Sequence, residues 1–256
     1  MKLLSKVKTF LWFAVRPLFW PQLKQLWKRN LNPELEDSRA ESTNWCKSIA
    51  ISPKEALMTL GVEVEYKSLE ELFPDIISTA KQKESEAIIK MGGEGAISFL
   101  YHLVKSHELR SIIESGVAYG WSSLALLLAI KDQPNGKLIS NDMPYVKMNN
   151  EDFVGCIVPE SLRFKWELQR LPDVSGLPKA FNKFSGEIDL FHYDSDKSYT
   201  GRMWASPLIW ENLRNGGFFV SDDINDNLAF KHFSLEVDRN PIVIEHLGKY
   251  VGIIRK

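Results

Sequence analysis

The chain has 256 residues, 44% of them apolar and 25% charged, which is enough to bury a sizeable core and suits one α/β domain with an appendage. A formal net charge of −1 excludes a global electrostatic attraction to nucleic acid. Two cysteines alone, Cys46 and Cys156, exclude a disulfide framework and a cysteine-type zinc site, and point to a reducing cytoplasm.

The start departs from this neutrality. Lys2, Lys6, Lys8, Arg16, Lys24, Lys28 and Arg29 precede the first acidic residue, Glu34, and Phe10, Trp12, Phe13, Phe19, Trp20 and Trp27 lie among them. Arg16 and Pro17 interrupt the apolar run, no small-residue cleavage site follows, and the run is too short to span a bilayer. Two readings stay open. Residues 1–30 lie in a membrane interface, at the inner face of the membrane, or they form helices that pack on the domain or on a partner subunit in an oligomer. The polar stretch Asn30 to Asn44, with Pro33, reads as a linker. The expected organisation is therefore a segment over 1–45 and a main domain over 46–256, with a helical cap (46–105) and an α/β core (106–256).

Ser52-Pro53-Lys54-Glu55 predicts a capped helix with proline at its first position, and Ser68-Leu69-Glu70-Glu71-Leu72-Phe73 begins another short helix, limited by Pro74. Gly92-Gly93-Glu94-Gly95 breaks the chain, and Ala96 to Lys105 follows with helical spacing. An alternating series begins at Arg110. Strands are predicted over Arg110–Ser115, Lys137–Asn141, Arg163–Leu168, Glu187–Tyr193 and Phe218–Ser221. Helices are predicted over Trp121–Ile130, Pro178–Phe184, Tyr199–Leu213 and Asn225–Leu235, with a turn at Asn215-Gly216-Gly217. Two late strands, Pro241–Glu245 and Tyr250–Ile254, form a hairpin. The predicted fold is a doubly wound, mostly parallel sheet with an antiparallel C-terminal edge hairpin and N-terminal helices.

Open α/β sheets bind ligands beyond the carboxyl ends of their strands. Gly116 permits the turn after the first core strand and Gly120 allows close approach to the helix start, but the spacing lacks the third glycine of the dinucleotide pattern. Glu114 at that strand end suits an ammonium or ribose partner; its structural alternative is a salt bridge at the sheet rim. Asp142 suits a ribose diol, or else forms the turn before Pro144. Asp194, Asp222 and Asp223 follow neighbouring strands and offer three oxygen ligands for Mg²⁺ or another hard divalent ion; the alternative is helix capping and hydroxyl binding without metal. Lys197 serves as a general base if its pKa is lowered, or is an exposed lysine. His192 reads as a satisfied core residue.

The series Glu114-x-Gly116-x-x-x-Gly120-x-Ser122, Asp142-Met143-Pro144, Asp194-Ser195-Asp196-Lys197-Ser198-Tyr199, then Gly216-Gly217 with Ser221-Asp222-Asp223-Ile224, resembles the class I S-adenosylmethionine-dependent methyltransferases. The resemblance runs from Gly92 to Lys256 and is nearest a bacterial branch with an E-x-G start and a D-S/G-D-H-S-Y segment. It implies a Rossmann-like sheet and S-adenosylmethionine held by Glu114, Gly116, Ala118, Gly120, Ser122, Asp142 and Asp194. The loop is also similar to that of catechol and caffeoyl-coenzyme A O-methyltransferases. That likeness implies metal at Asp194, Asp222 and Asp223 and a catalytic pair of Asp194 and Lys197. Lys197 stands where the nearest branch has His, and Leu168-Gln169-Arg170 replaces a small Gly-Asp-Ser-like motif. The activity implied is O-methylation of a sugar or other small hydroxylated acceptor, including a glycan or lipid-linked sugar. Two alternatives remain: a metal-dependent hydroxylase on the same sheet, for which no His-rich triad is evident, and a non-catalytic module that binds a membrane or partner.

Overall fold

The computed structural model describes residues 9, 11–29, 35, 37–144, 150–185 and 187–256, the side chains of 24–27 excepted. Lys2, Lys6, Lys8, Phe10 and Pro33 of the expected basic start and linker lie outside the described residues.

Eight strands form one sheet: β1 (Ala50–Ile51), β2 (Ser111–Ser115), β3 (Lys137–Asn141), β4 (Trp166–Gln169), β5 (Ile188–Tyr193), β6 (Leu213–Ser221), β7 (Ile242–His246) and β8 (Lys249–Arg255). Their order is β1-β7-β8-β6-β5-β2-β3-β4. β8 runs antiparallel between β6 and β7, and the other pairings are parallel. The expected mixed, doubly wound sheet is therefore present. The hairpin does not form its very edge, because the short β1 adds outside β7.

Period-2 alternation sorts the strand residues between two cores. Ile112, Leu138, Leu190 and Phe218 face one, with helices Pro53–Thr59, Ile97–Ser106 and Trp121–Ile130. Ile113, Ile139, Phe191 and Phe219 face the other, with helices Asp173–Lys183, Tyr199–Asn212 and Ala229–Glu236. The helix Trp121–Ile130 is apolar on every side, and all its residues but Ser122 are buried, as such a composition requires. The predicted cap at Ser52 forms as a capping box, and so does one at Ser68 that was not predicted, the two serines accepting from the Glu55 and Glu71 amides.

The expected boundary at residue 45 falls inside the helix Arg39–Ile49. That helix is tied to the core through the Ser42 hydroxyl, which donates to the Ile224 and Asn227 carbonyls, and through the buried Cys46. Cys46 and Cys156 are free thiols.

The basic, aromatic start packs on the domain over its described part. Phe13 and Phe19 are buried, and Trp12 meets both rings at centroid distances of 5.0 and 5.3 Å. Burying one Phe side chain contributes about 1.5–3 kcal/mol. The helix Trp20–Lys28 lies on the helices Asp173–Lys183 and Tyr199–Asn212, and Arg29 pairs with Asp196 at 2.5 Å. Among the described residues, no helix is long and apolar enough to cross a membrane.

Candidate active site

β2 pairs with β3 on one side and β5 on the other, so the chain leaves it in opposite directions and a crevice opens where their carboxyl ends part. The loops after β2 and β5 press together there. A Cβ on Gly116 would stand 2.0 Å from the Asp194 carbonyl oxygen, and Gly116 has φ +91°. Only glycine satisfies both conditions.

A cavity of about 640 Å³ fills the crevice. Gly116, Asp142, Asp173, Asp194 and Lys197 line it from the sheet, and Phe13 and Arg29 close it from the N-terminal segment. A much smaller recess next to it is lined by Gly92, Gly93, Gly95, Ala118, Ser122, Asp194 and Asp222. Asp194 thus stands between the two spaces. The crevice brings together Gly116, Ala118, Ser122, Asp142, Asp194, Lys197 and Asp222 of the sequence-predicted residues. Gly120 caps the helix Trp121–Ile130 in a left-handed conformation and lines neither space.

Asp142 has a different first task from the one expected. Its Oδ2 accepts from the Val117 and Ala118 amides at 2.8 and 3.1 Å, and its Oδ1 from Arg170 at 2.9 Å. Those two amides are therefore used inside the loop, which Asp142 holds in shape. Burial raises the Asp142 carboxyl above the ordinary carboxylate range, against the pull of the Val117 amide and Arg170. Arg170, of the departing Leu168-Gln169-Arg170 stretch, is thereby an integral partner of the crevice. The amides that open the helix at Trp121 carry no side-chain cap, so its N-terminus beside Ser122 can receive an anionic group.

Glu114 is fully buried and lines neither space. It accepts from Ser123 at 2.5 Å and Ser140 at 2.7 Å, and its other oxygen lies 3.5 Å from His192 Nδ1. On the far side, His192 Nε2 lies 3.4 Å from Asp222 Oδ1. Glu114 therefore meets the crevice only through His192 and Asp222. Burial opposes a charge on His192, but Asp222 and Glu114 outweigh it and push the imidazole up to about 10. His192 is thus an imidazolium clamped between two carboxylates, more than the satisfied core residue its position suggested.

The expected metal set does not assemble. The Lys197 ammonium lies 3.0 Å from Asp194 Oδ1 and bonds Asp223 Oδ2, while Asp222 is held by His192. Among the described residues, no group of three or more His, Cys, Asp or Glu is arranged to hold a metal ion. The base role for Lys197 also fails its stated condition. Burial acts against its charge, but Asp194 and Asp223 outweigh burial and hold the lysine above its ordinary value. Asp194 moves the other way: burial and the neighbouring Asp222 push it up to about 6, despite Lys197. Burial also acts to raise Asp222, yet His192 and Lys197 draw it below the ordinary range.

Sequence reasoning missed Asp173, Asp196 and Arg29. Asp173 accepts from Ser115, Ser195 and Asn141 at 2.6, 2.5 and 2.8 Å, and so links the loops after β2 and β5. Its signal was an acid directly after Pro172, at the first position of a helix. Asp196 and Arg29 are 167 positions apart, and no local pattern joins them.

Residues 113–224 match a family model described as a methyltransferase domain. No curated protein matches the chain. Solved structures with a similar fold include an O-methyltransferase from Bacillus cereus in complex with SAH, with TM-score 0.58 and 14% identity, covering 75% of this chain and 98% of that one. The O-methyltransferase TomG from Streptomyces achromogenes, in complex with SAM, gives TM-score 0.56 and 16% identity, covering 75% and 97%. The SAH-bound methyltransferase PaMTH1 from Podospora anserina gives 0.54 and 14%, covering 76% and 99%. The sheet therefore has the fold of these methyltransferases, and residues 113–224 are similar to the methyltransferase domain of the matched family.

Proposed function

We propose that this protein is an S-adenosylmethionine-dependent O-methyltransferase acting on a sugar or another small hydroxylated acceptor. The observation that carries the proposal is the crevice at the β2/β5 switch point, where Gly116, Asp142 and Asp194 line a cavity that continues to Lys197. Its residues fit the cofactor's chemistry: carboxylates for an ammonium and a sulfonium, an uncapped helix start for a carboxylate, and glycine where the backbones come closest.

Bound S-adenosylmethionine would supply a methyl carbon to the acceptor oxygen, the C–S bond breaking with its electron pair left on sulfur. Asp194 takes the acceptor proton, its carboxyl being tuned close to the working range. Lys197 keeps its proton and places a positive charge beside the developing alkoxide. Orientation of donor and acceptor by the cavity walls contributes most, on the order of 7–11 kcal/mol in well-aligned systems. Isothermal titration with S-adenosylhomocysteine tests the reading. Saturable binding is expected, and a folded protein that releases no binding heat would reject it.

The pH dependence of that binding follows from Asp194. Its pKa is raised, so the carboxylate form is present above pH about 6 and is lost below it. Affinity for S-adenosylhomocysteine is expected to be flat above this point and to fall with acidification, approaching about tenfold per pH unit. Asp194→Asn should flatten the profile between pH 5 and 8. A wild-type profile without an acid limb would remove Asp194 from the site.

The same proposal places the N-terminal segment against an anionic membrane surface. Leu11, Val15, Leu18 and Trp20 are exposed, at 56, 72, 52 and 53%, with the exposed Arg16 among them. No acid occurs before Glu34 to oppose negatively charged headgroups. Flotation with phosphatidylglycerol vesicles is expected to carry the protein upward, and Leu18→Glu with Trp20→Glu to leave it at the bottom. Equal flotation of both proteins would dismiss the contact.

A further inference from the structure

We propose that the Lys197 ammonium is a built-in replacement for a divalent cation, so that methyl transfer at this site is metal-independent. The inference rests on the methyltransferase reading above and concerns how its acceptor side is charged.

The argument begins with position. Asp194, Asp222 and Asp223 end β5 and β6, which are adjacent parallel strands, so three carboxylates are delivered to one corner of the crevice. Left alone they would repel one another and attract a hard cation. A hard cation of this kind needs oxygens about 2.0–2.6 Å from one centre. Here that centre is taken. Lys197 Nζ sits between Asp194, at 3.0 Å, and Asp223, which it hydrogen-bonds.

The lysine is held there by its backbone. Asn227 donates from Nδ2 to the Lys197 carbonyl at 2.8 Å, and the following Ser198 caps the helix Tyr199–Asn212 through the Gly201 amide. Asp223 is equally constrained, with φ +49° and its carbonyl accepting from Arg202. The third carboxylate, Asp222, already faces the buried His192. Each ligand that a metal would recruit already has a partner from the chain itself. A dication entering this corner would have to expel the ammonium and meet its repulsion. Lys197 also lines the large cavity, so its charge is presented to whatever acceptor binds there.

The test uses Mn²⁺ as a probe, followed by calorimetry and electron paramagnetic resonance on the metal-stripped full chain. Wild type is expected to show no saturable Mn²⁺ site at millimolar concentration. Lys197→Ala and Lys197→Gln each remove the ammonium and leave three carboxylates. Both are expected to gain one Mn²⁺ site, at least about tenfold tighter than any wild-type binding. Asp223→Ala, which removes the oxygen ligand altogether, added to either variant should abolish the gain. Saturable Mn²⁺ binding by wild type that disappears in Asp223→Ala would overturn the proposal. So would the absence of any gain in both lysine variants when circular dichroism shows them folded. S-adenosylhomocysteine binding in EDTA is measured on the same samples. Its loss in wild type would sink the cofactor reading while the Mn²⁺ comparison still decides the role of the ammonium.

Discussion

Gly116→Ala is expected to lower the affinity for S-adenosylhomocysteine by about 100-fold, which is about 2.7 kcal/mol, and to destabilise the fold as well. The new methyl group would stand 2.0 Å from the Asp194 carbonyl oxygen and 2.5 Å from its carbonyl carbon. Both are backbone atoms, so no side-chain rotation relieves the clash. The left-handed φ of +91° adds about 1–2 kcal/mol for any residue with a Cβ. The loops after β2 and β5 must separate, carrying Asp194 away from the recess it shares with Ser122. Gly61→Ala is the matched control, since it shares the left-handed φ, at +81°, but a Cβ there meets nothing within 4 Å and it lines neither space. It should bind as wild type does. Calorimetric titration of both variants, with urea unfolding, checks the contrast. Equal affinity of Gly116→Ala and wild type would show that the ligand does not use this crevice.

His192→Leu is the second large effect. The imidazolium lies fully buried between Glu114 and Asp222, and its removal leaves Glu114 with only the Ser123 and Ser140 hydroxyls. Breaking a buried ion pair from one side costs about 3–5 kcal/mol. The sign with pH is fixed by the direction of the shift. The folded-state pKa is raised from 6.5 to about 10, so the stabilisation is complete below pH about 6.5 and is lost as pH rises through 10. The gap in unfolding free energy between wild type and His192→Leu should therefore be wide at neutral pH and narrow toward pH 10. Urea denaturation across that range measures it, and a gap of constant width would contradict the clamped imidazolium.

The two cores were legible because they follow local periodicity. Pairs such as Ile112 with Ile113 and Phe218 with Phe219 alternate faces wherever a strand is buried on both sides. Lys137–Asn141 has its predicted boundaries for the same reason, and Trp121–Ile130 has them because an unbroken apolar run follows Gly120. Elsewhere a local signal was overruled. Pro178 reads as a helix start, yet the helix runs Asp173–Lys183 with the proline inside it. Its Gly176 and Ser175 amides donate to the Pro172 carbonyl, which opens the helix earlier. Asn215-Gly216-Gly217 looked like a turn but lies within β6, where Gly216 and Gly217 exchange backbone bonds with Lys256. The strand predicted over Arg163–Leu168 begins three residues later, at Trp166, because a 3₁₀ segment, Glu160–Lys165, precedes β4.

At the candidate site the division is similar. Sequence order by itself determined that acids and glycines follow the core strands, since each motif lies within a few residues of a strand end. It also determined the sheet's winding, through alternating strands and helices of readable length. Which groups meet was decided by the tertiary structure alone. Arg29 reaches Asp196 across 167 positions, and Glu114, His192 and Asp222 join through three separate strands. Those meetings assign Glu114 to the interior, charge His192 and put Lys197 where a metal was expected. The physical reason is range: propensity and periodicity act within a turn or a strand, whereas ionisation and pairing depend on every charge that folding brings within a few ångströms.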